Sequence, residues 1–311
     1  MRLLIKLLIF IFLIFQIKAA AEGLLKVTHL NVDQGDAAII EFPSGVVMEI
    51  DSGKGGGFAG SESMGRKSII PYLKNNKIIK IDIAVSTHPD FDHIGGYQEV
   101  LREMSVSEYW ESAGHTTNTY KNLLSIIKIK NIDYYLGYKM IKLRLDELNK
   151  TNFFGKNVKV VILGPLFKYK NNNDASLCFM IKYNKKTFML CGDAGFDPQE
   201  NMADKYEKSL KSDFLLVPHH GSSHNYNRKF LNFVKPEIAI ISAGYQNKFK
   251  HPKNEIVNAY YSAGVKLFRT DILQSHIQIA TDGIDYKINL IDNELKEIDL
   301  SLSRISLENG K

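Results

Sequence analysis

One stretch of this 311-residue sequence decides how the rest is interpreted, Ser86-Thr87-His88-Pro89-Asp90-Phe91-Asp92-His93-Ile94-Gly95-Gly96. Four of the six positions from His88 to His93 are histidine or aspartate, whose imidazole and carboxylate groups bind divalent metals such as zinc. An apolar run at residues 81–86 predicts a buried strand that ends immediately before these side chains. The glycine pair that follows allows the backbone to turn tightly beside them. We therefore predict a metal-binding loop at the end of a strand.

Two further segments have the same layout, an apolar strand that ends in side chains able to bind metal. They are Phe188-Met189-Leu190-Cys191-Gly192-Asp193 and Leu215-Leu216-Val217-Pro218-His219-His220-Gly221-Ser222. Taken alone, Asp193 could equally end a turn or cap a helix. Three such groups together favour a metal site, in which Asp193 is placed to bridge two ions.

Strand-like and helix-like patterns alternate around these segments. Strands are predicted at residues 24–31, 37–42, 46–50, 81–86, 158–163, 176–183, 186–191, 214–217, 238–241, 277–279 and 286–290, and helices at residues 68–76, 120–127, 198–209, 228–234 and 254–262. Clusters of strands with interspersed helices are typical of an α/β fold in which two packed sheets are flanked by helices.

The sequence contains two cysteines, Cys178 and Cys191. They fall on a predicted hairpin with a turn at Asn184-Lys185, and in that register they lie opposite each other. An exported protein can form a disulfide there, so we predict a Cys178–Cys191 bond. The alternative is a pair of buried free thiols that behave as small apolar residues. A slip of one residue in the register would also separate them.

The first residues have the pattern of an export signal. Arg2 and Lys6 precede an apolar run at residues 7–17, and Ala19-Ala20-Ala21 offers a cleavage site. The run is shorter than the roughly 20 apolar residues of a spanning helix, which favours cleavage over a membrane anchor. We expect a signal peptide at residues 1–21, a domain at 22–291, a polar C-terminal tail at 292–311, a periplasmic or secreted location, and no membrane span after cleavage.

Composition restricts the function only loosely. The chain is 44% hydrophobic and 24% charged, as in ordinary globular proteins. Removal of residues 1–21 lowers the formal charge from +6 to +3, which permits anionic substrates without arguing for them. The glycine-rich stretch at residues 53–65 lacks the Gly-Lys-Ser/Thr ending of a phosphate-binding loop, so no nucleotide cofactor is expected.

The motifs resemble those of the metallo-β-lactamase superfamily, and specifically those of the extracellular hydrolase domain of the DNA-uptake competence protein ComEC and its free-standing relatives. The similarity extends from about residue 25 to about residue 279. Besides the three metal segments, it rests on Asn31-Val32-Asp33-Gln34-Gly35-Asp36, Glu49-Ile50-Asp51-Ser52-Gly53, His251-Pro252 and Arg269-Thr270-Asp271. It implies a four-layer αββα sandwich, two mixed β-sheets flanked by helices, with the hydrolase domain at residues 22–291.

The resemblance also implies two divalent metal ions, zinc in the first place and manganese as the alternative. The implied ligands are His88, Asp90, Asp92, His93, Asp193 and His219. His88 would bind one ion, Asp92 and His93 would bind the second, and Asp193 would bridge them. His220 is either a ligand or a partner that orients one. The implied catalytic residues are Asp90, Asp92, Asp193 and His220.

The chain departs from the superfamily pattern at two places. The superfamily reads His-x-His-x-Asp-His, whereas Asp90 stands at the second histidine position, as an oxygen ligand or as a contact through water. A separate mid-chain histidine ligand is not evident. His115 could take that role or contact substrate, or be an ordinary loop histidine. His251 is expected to contact a substrate oxygen; the alternative is an ordinary loop histidine before a helix. Asp51 either hydrogen-bonds a ligand histidine or ends a turn.

Three functions remain open. Two ions that share a bridging hydroxide polarise a carbonyl or phosphoryl oxygen and lower the pKa of water. The competence domain implies a phosphodiesterase or nuclease that acts on nucleic acid. The fold alone equally permits another exported substrate, such as a phosphocholine ester, a lactone or a β-lactam. A non-catalytic binding protein is the third possibility, against which the intact metal motifs argue. A basic groove with stacking aromatic residues near the metals would favour the first.

Overall fold

The computed structural model describes residues 23–57, 62–113 and 115–298. Within these residues, fifteen strands form two mixed sheets of nine and six strands. The strands are β1 (Leu25–His29), β2 (Ala38–Glu41), β3 (Val47–Ile50), β4 (Lys80–Ser86), β5 (Ser105–Glu111), β6 (Asp133–Leu136), β7 (Val158–Gly164), β8 (Cys178–Tyr183), β9 (Lys186–Leu190), β10 (Phe214–Leu216), β11 (Ile238–Ile241), β12 (Lys266–Arg269), β13 (His276–Thr281), β14 (Tyr286–Ile291) and β15 (Glu297–Ile298).

Helices connect the strands and cover the outer face of each sheet. They are α1 (Ile70–Asn75), α2 (Phe91–Ile94), α3 (Tyr97–Glu103), α4 (Asn118–Ile129), α5 (Tyr138–Lys150), α6 (Phe196–Tyr206), α7 (Arg228–Val234), α8 (Asn254–Ser262) and α9 (Thr270–Leu273). A π-helical turn, Gly65–Ile69, leads into α1, and a short 3₁₀ turn, Pro218–Gly221, follows β10.

The strand order brings several strand ends to one edge of the molecule. The larger sheet has the order β15-β14-β13-β1-β2-β3-β4-β5-β6, and the smaller sheet has the order β12-β11-β10-β9-β8-β7. Strands β3 to β6 run parallel, and so do strands β9 to β12. Because parallel neighbours point their carboxyl ends the same way, the loops after β3 and β4 emerge together, as do those after β9, β10 and β11.

Three apolar clusters divide the molecule into four layers. The inner cluster lies between the sheets and includes Val27, Val85, Phe179, Phe188 and Ile240. A second cluster joins the larger sheet to α1, α3 and α4, and a third joins the smaller sheet to α6, α7 and α8. This arrangement confirms the predicted αββα sandwich.

Most of the predicted elements are present, but residues 97–111 and 133–150 were not assigned. The structure places α3, β5, β6 and α5 there. Strand β5 contains two buried carboxylates, which interrupt the apolar pattern that marks a buried strand. One of them, Glu108, is satisfied by Trp110 Nε1 at 2.8 Å and by Arg144 Nε at 3.1 Å. These partners come from the tertiary fold, so no local pattern could reveal them.

The cysteine prediction was right about the hairpin and wrong about the bond. Tyr183 pairs with Lys186, as a two-residue turn requires. Both cysteines are nevertheless free and buried. The Cys178 thiol points at the carbonyl oxygens of Cys191 (3.7 Å) and Ser176 (3.8 Å), and burial raises its pKa well above the usual range. The two side chains therefore pack as small apolar residues in the cluster under α6 to α8.

Both predicted terminal segments extend beyond the described part of the chain. The signal peptide expected at residues 1–21 lies outside the described residues. Residues 292–298, the beginning of the predicted polar tail, form a turn and the short strand β15, which pairs with β14. Among the helices of the described residues, none is long and apolar enough to cross a bilayer.

Candidate metal centre

Histidine and aspartate side chains from both sheets meet at the edge where the parallel strands end. The loop after β4 supplies His88, Asp90, Asp92 and His93, the loop after β9 supplies Asp193, and the turn after β10 supplies His219 and His220. Asp193 lies at the centre of this cluster.

The two carboxylate oxygens of Asp193 face two different pairs of histidines. Its Oδ1 lies 3.3 Å from His93 Nε2 and 3.5 Å from His220 Nε2. Its Oδ2 lies 3.7 Å from His88 Nε2 and 3.5 Å from His219 Nε2. A carboxylate in this position can serve one ion with each oxygen, which is how a bridging ligand acts.

A further aspartate lies beside each pair. Asp90 Oδ2 is 3.8 Å from His88 Nε2, and Asp92 Oδ2 is 3.7 Å from His220 Nε2. The other oxygen of Asp90 accepts a 2.7 Å hydrogen bond from Asn172 Nδ2. We refer to His88, His219 and Asp90 as the first group and to His93, His220 and Asp92 as the second group, with Asp193 shared.

The cluster contains buried polar atoms that a cation would satisfy. Nε2 of His88, His93 and His220 and Oδ1 of Asp193 are buried and have no hydrogen-bond partner among the described residues. Such a group usually costs about 1–3 kcal/mol when left unpaired. In two sets of three residues the potential ligand atoms lie within 4.8 Å of one another. The first set is His88, His93 and Asp193, and the second is Asp92, His93 and His220. These nitrogen and oxygen donors fit zinc or manganese.

The opposite ring nitrogens are held by hydrogen bonds that aim Nε2 into the cluster. His93 Nδ1 donates to Asp51 Oδ2 at 2.8 Å, so the expected contact of Asp51 with a ligand histidine is present. His220 Nδ1 donates to the carbonyl oxygen of Ser242 at 2.9 Å. Asp51 also accepts from Thr87 N and Thr87 Oγ1, at 2.8 and 2.7 Å. Such partners fix the tautomer and the ring orientation of a metal-binding histidine.

The charges in the cluster oppose the effect of burial. Burial acts to lower the pKa of His93 and of His220, but Asp193 and its neighbours raise both well above the usual range. Burial acts to raise the pKa of Asp193, but His93 and His220 hold it well below the usual range. The pKa of His88 falls to about 3 because of burial and of the neighbouring His93. A histidine must be deprotonated to bind metal, so divalent ions would displace protons from these rings on binding.

The turn Pro218–Gly221 has an uncommon backbone. His219 and His220 have φ values of 51° and 53°, in the left-handed region that side chains other than glycine rarely adopt. Such conformations persist where the surrounding structure enforces them, often at functional sites. Here they let two residues that are adjacent in sequence face different oxygens of Asp193.

The structure brings together six of the predicted site residues around Asp193 and leaves one elsewhere. His251 is adjacent, with its ring centre 5.9 Å from that of His219. His115 accepts a hydrogen bond from Thr117 N at 3.2 Å, and none of the metal-capable groups found among the described residues includes it.

Asp36 is a site residue that was not predicted from the sequence. Both of its oxygens are buried without a hydrogen-bond partner among the described residues, and Oδ1 lies 3.4 Å from His220 Nδ1. With Asp193 and His220 it forms a third metal-capable set. It ends the opening motif at residues 31–36, so its position in that motif was the available signal.

Two cavities open at the cluster, each beside a different group. The cavity beside the first group has a volume of about 640 Å³ and is mostly polar, with Asp90, His219, Lys170, Asn171, Asn172 and Asn173 in its lining. The cavity beside the second group has a volume of about 580 Å³ and is rich in aromatic residues, with Asp92, Phe91, Tyr245, Phe249, Lys54 and Lys248 in its lining.

Comparisons with known proteins agree with this architecture. A family model described as the metallo-beta-lactamase superfamily matches residues 30–245. The chain is 26% identical over 214 residues to the competence protein ComA of Neisseria gonorrhoeae, covering 68% of this chain and 27% of that protein. It is 24% identical over 264 residues to ComE operon protein 3 of Bacillus subtilis, covering 81% of this chain and 32% of that protein. The chain thus spans about a third or less of these relatives.

Among solved structures, a diphosphatase from the PhnP family matches with a TM-score of 0.45 and 13% identity, covering 83% of this chain and 99% of that chain.

Proposed function

This chain belongs to the metallo-β-lactamase superfamily, and from that premise we propose that it is an exported, metal-dependent phosphodiesterase that cleaves nucleic acid. The observation that carries the proposal is the divided environment of Asp193, whose two oxygens face two separate pairs of histidine nitrogens. Its similarity to competence proteins of DNA uptake supports nucleic acid as the substrate.

We assign one ion to each group. His88, His219 and Asp90 would hold the first together with Asp193 Oδ2, and His93, His220 and Asp92 would hold the second together with Asp193 Oδ1. Bound divalent ions supply a water nucleophile near neutral pH and positive charge for the oxygens of the scissile phosphate. The protein contributes the spacing of the two groups and the orientation of each ring.

We expect His251 to bind a substrate oxygen. It lies beside His219, and its Nδ1 is buried without a hydrogen-bond partner among the described residues. Burial, together with His220 and His219, lowers its pKa to about 4, so its imidazole is neutral at physiological pH. A neutral imidazole can donate one hydrogen bond to a phosphoryl oxygen without competing for the charge of the ions.

Lysines line both cavities beside their carboxylates and, together with the bound ions, would supply positive charge for an anionic substrate. Lys170 lies in the cavity beside the first group, and Lys54 and Lys248 lie in the cavity beside the second. Their placement on both sides of the cluster suits a substrate whose phosphates continue in both directions from the bond that is cut.

The test is a substrate screen of the full chain loaded with zinc or with manganese. We expect hydrolysis of bis(p-nitrophenyl) phosphate and of DNA, up to two divalent ions per chain by elemental analysis, and loss of turnover on chelation. Asp193→Ala should lose metal and activity together, because both ions depend on its carboxylate. The matched control is Asp204→Ala, an aspartate on the exposed face of α6 that pairs with Lys229; it should keep both.

Two results would contradict the proposal in different ways. If well-folded protein bound no divalent metal, the hydrolase assignment itself would be wrong. If the protein bound metal but hydrolysed only a lactone, a β-lactam or a phosphocholine ester, the metal centre would stand and the phosphodiester assignment would fall.

A further inference from the structure

We propose that the cavity beside Asp92 is a stacking subsite that binds the bases of single-stranded nucleic acid on Phe91, Tyr245 and Phe249. The inference rests on the proposed function and adds to it the form of the substrate and the residues that select it.

Three exposed aromatic side chains line the cavity beside Asp92. Phe91, Tyr245 and Phe249 are 47%, 61% and 47% exposed, and all three line it. Aromatic rings of this size usually contribute their area to a core, so a cluster of three on the surface of one cavity indicates a binding role. The exposed part of these rings is the surface on which a base would stack, and on Phe249 it is shared with Lys248 and His251, which lie 4.8 and 5.9 Å from the ring centre.

The first of these rings belongs to the metal-binding loop itself. Phe91 separates Asp90 from Asp92, and its ring lies against Gly55, where a Cβ atom would be only 3.0 Å from the ring. Because position 55 has no side chain, the ring can lie close to that loop. A base stacked on Phe91 would therefore lie next to the second group, within reach of the phosphate that is cut.

The charges around the aromatic residues suit a phosphate backbone. Lys54 and Lys248 line the cavity, and Lys248 Nζ lies 4.8 Å from the centre of the Phe249 ring. Lys54 also forms an ion pair with Asp33, which holds it at the cavity wall. Aromatic faces interleaved with cations are typical of surfaces that bind single strands without sequence preference. A purely apolar ligand would leave the ammonium group of Lys248 without a counter-charge.

The stacking geometry distinguishes a single strand from a duplex. In a duplex each base face is covered by its neighbours, so a ring on the protein has no face to contact. In a single strand the bases can turn outward and stack on the protein instead. The polar cavity beside the first group, with its run of three asparagines, offers hydrogen bonds rather than stacking to the other side of the strand.

The experiment compares two short strands of equal length with the metal-loaded full chain. One carries adenine at every position, and the other has the same phosphodiester backbone with abasic residues. We expect kcat/KM for the adenine strand to exceed that for the abasic strand by roughly tenfold or more, mainly through KM, since one stacked base contributes on that order. A blunt duplex of mixed sequence should be cut less efficiently than either of its separated strands.

Substitutions then assign the preference to the cavity. Tyr245→Ala and Phe249→Ala should reduce the ratio of the two kcat/KM values towards one. Tyr245→Leu and Phe249→Leu should reduce it as well, because leucine keeps more apolar volume than alanine but has no ring on which a base can stack. Tyr261→Ala is the matched control, because Tyr261 is also an exposed aromatic residue, on α8, and lines neither cavity. It should leave the ratio unchanged.

The outcomes separate this inference from the function on which it rests. Equal cleavage of the adenine and abasic strands, or a ratio unchanged in the Tyr245 and Phe249 variants, would overturn the stacking subsite and leave the phosphodiesterase intact. Failure to cleave any strand or bis(p-nitrophenyl) phosphate, in protein that binds metal, would overturn both.

Discussion

At the scale of single residues, the metal centre depends on hydrogen bonds made on the far side of its ligands. Asp51 accepts three of them, from His93 Nδ1, Thr87 N and Thr87 Oγ1. In Asp51→Asn, the amide nitrogen would replace one of the accepting oxygens and the negative charge would be lost. We expect the metal affinity to fall about 10–100-fold, which is usual for the loss of such a partner.

Metal titration against a competing chelator measures this effect. The matched control is Asp82→Asn, because Asp82 also accepts a backbone hydrogen bond, from Val47 N at 2.9 Å, but lies away from the ligands. An Asp51→Asn variant that bound metal as tightly as wild type would show that His93 is oriented without Asp51.

Glu111 makes stability depend on pH outside the metal centre. Burial raises its pKa from 4.5 to about 7, although the hydroxyls of Tyr120 and Tyr134 donate to it. The folded state therefore keeps a proton that the unfolded state releases above about pH 4.5. This contribution is fully present below that pH and is lost as the pH rises through about 7.

Glu111→Gln keeps an acceptor and removes the titration. We expect its free energy of unfolding to exceed that of wild type by about 3 kcal/mol at pH 8, the equivalent of a pKa raised from 4.5 to about 7, and the difference to vanish near pH 4. Urea unfolding at both values measures it, with Glu255→Gln, at an exposed position on α8, as the control. A difference that did not change with pH would contradict the assignment.

The residues that meet around Asp193 were visible in the sequence because the chemistry of each is carried by its own residue type. Histidines and aspartates at three strand ends led to the cluster, whereas Asn172 and Ser242 were not anticipated. Asn172 holds Asp90 from 82 positions away, and Ser242 holds His220 through a backbone carbonyl that every residue has. Contacts of this kind are created by the tertiary fold and leave no local pattern.

At the scale of elements, the junction between β9 and Asp193 requires glycine. Gly192 has a φ of +48°, and a Cβ atom there would be 2.5 Å from Thr87 Oγ1. Thr87 in turn donates to Asp51 and contacts His88 Nδ1 at 3.1 Å. Gly192→Ala should therefore displace Thr87. This would disturb the orientation of His88, which Thr87 contacts, and of His93, which Thr87 supports through Asp51.

Gly264 supplies a control for backbone strain alone. Its φ is +76°, but a Cβ atom there would have nothing within 4 Å. We expect Gly264→Ala to lower the free energy of unfolding by about 1 kcal/mol without changing the metal affinity, and Gly192→Ala to lower both, by more than that strain. Denaturation and metal titration of the two variants decide this, and equal behaviour would mean that the contact with Thr87 is unimportant.

The elements themselves were predictable where burial follows a simple period. The strands that end at the metal centre are mostly apolar and are buried in their last residues, and all of them were predicted. The edge strand β6 and the long helix α5 were missed, because Asp133–Leu136 is only partly buried and α5 buries three side chains among many charged ones. A helix with so narrow an apolar face gives a weak periodic signal.

At the scale of the whole molecule, the ligands come from both sheets. His88, Asp92 and His93 follow a strand of the larger sheet, while Asp193, His219 and His220 follow strands of the smaller one. Bound ions would therefore join the two sheets, and their binding would add to the free energy of folding.

Chelation should lower the melting temperature by several degrees. An ion present at about 100 times its Kd stabilises by about 2.7 kcal/mol, and 1 kcal/mol corresponds to roughly 2–4 °C in a domain of this size class. Differential scanning fluorimetry with and without a chelator measures the shift. Asp193→Ala, which should not hold the ions, is expected to show no shift, and an equal shift in wild type and variant would contradict this account.

In an exported chain, as we propose, the placement of the candidate ligands at a single edge would also affect how long the protein survives outside a cell. Loss of the ions would loosen the loops after β4, β9 and β10. Strand β13 would stay paired with both of its neighbours, β1 and β14. Extracellular proteases cut backbone that opens locally, so the first cleavages of ion-depleted protein should fall in those loops. The supply of metal in the surroundings would then set the lifetime of the molecule as well as its activity.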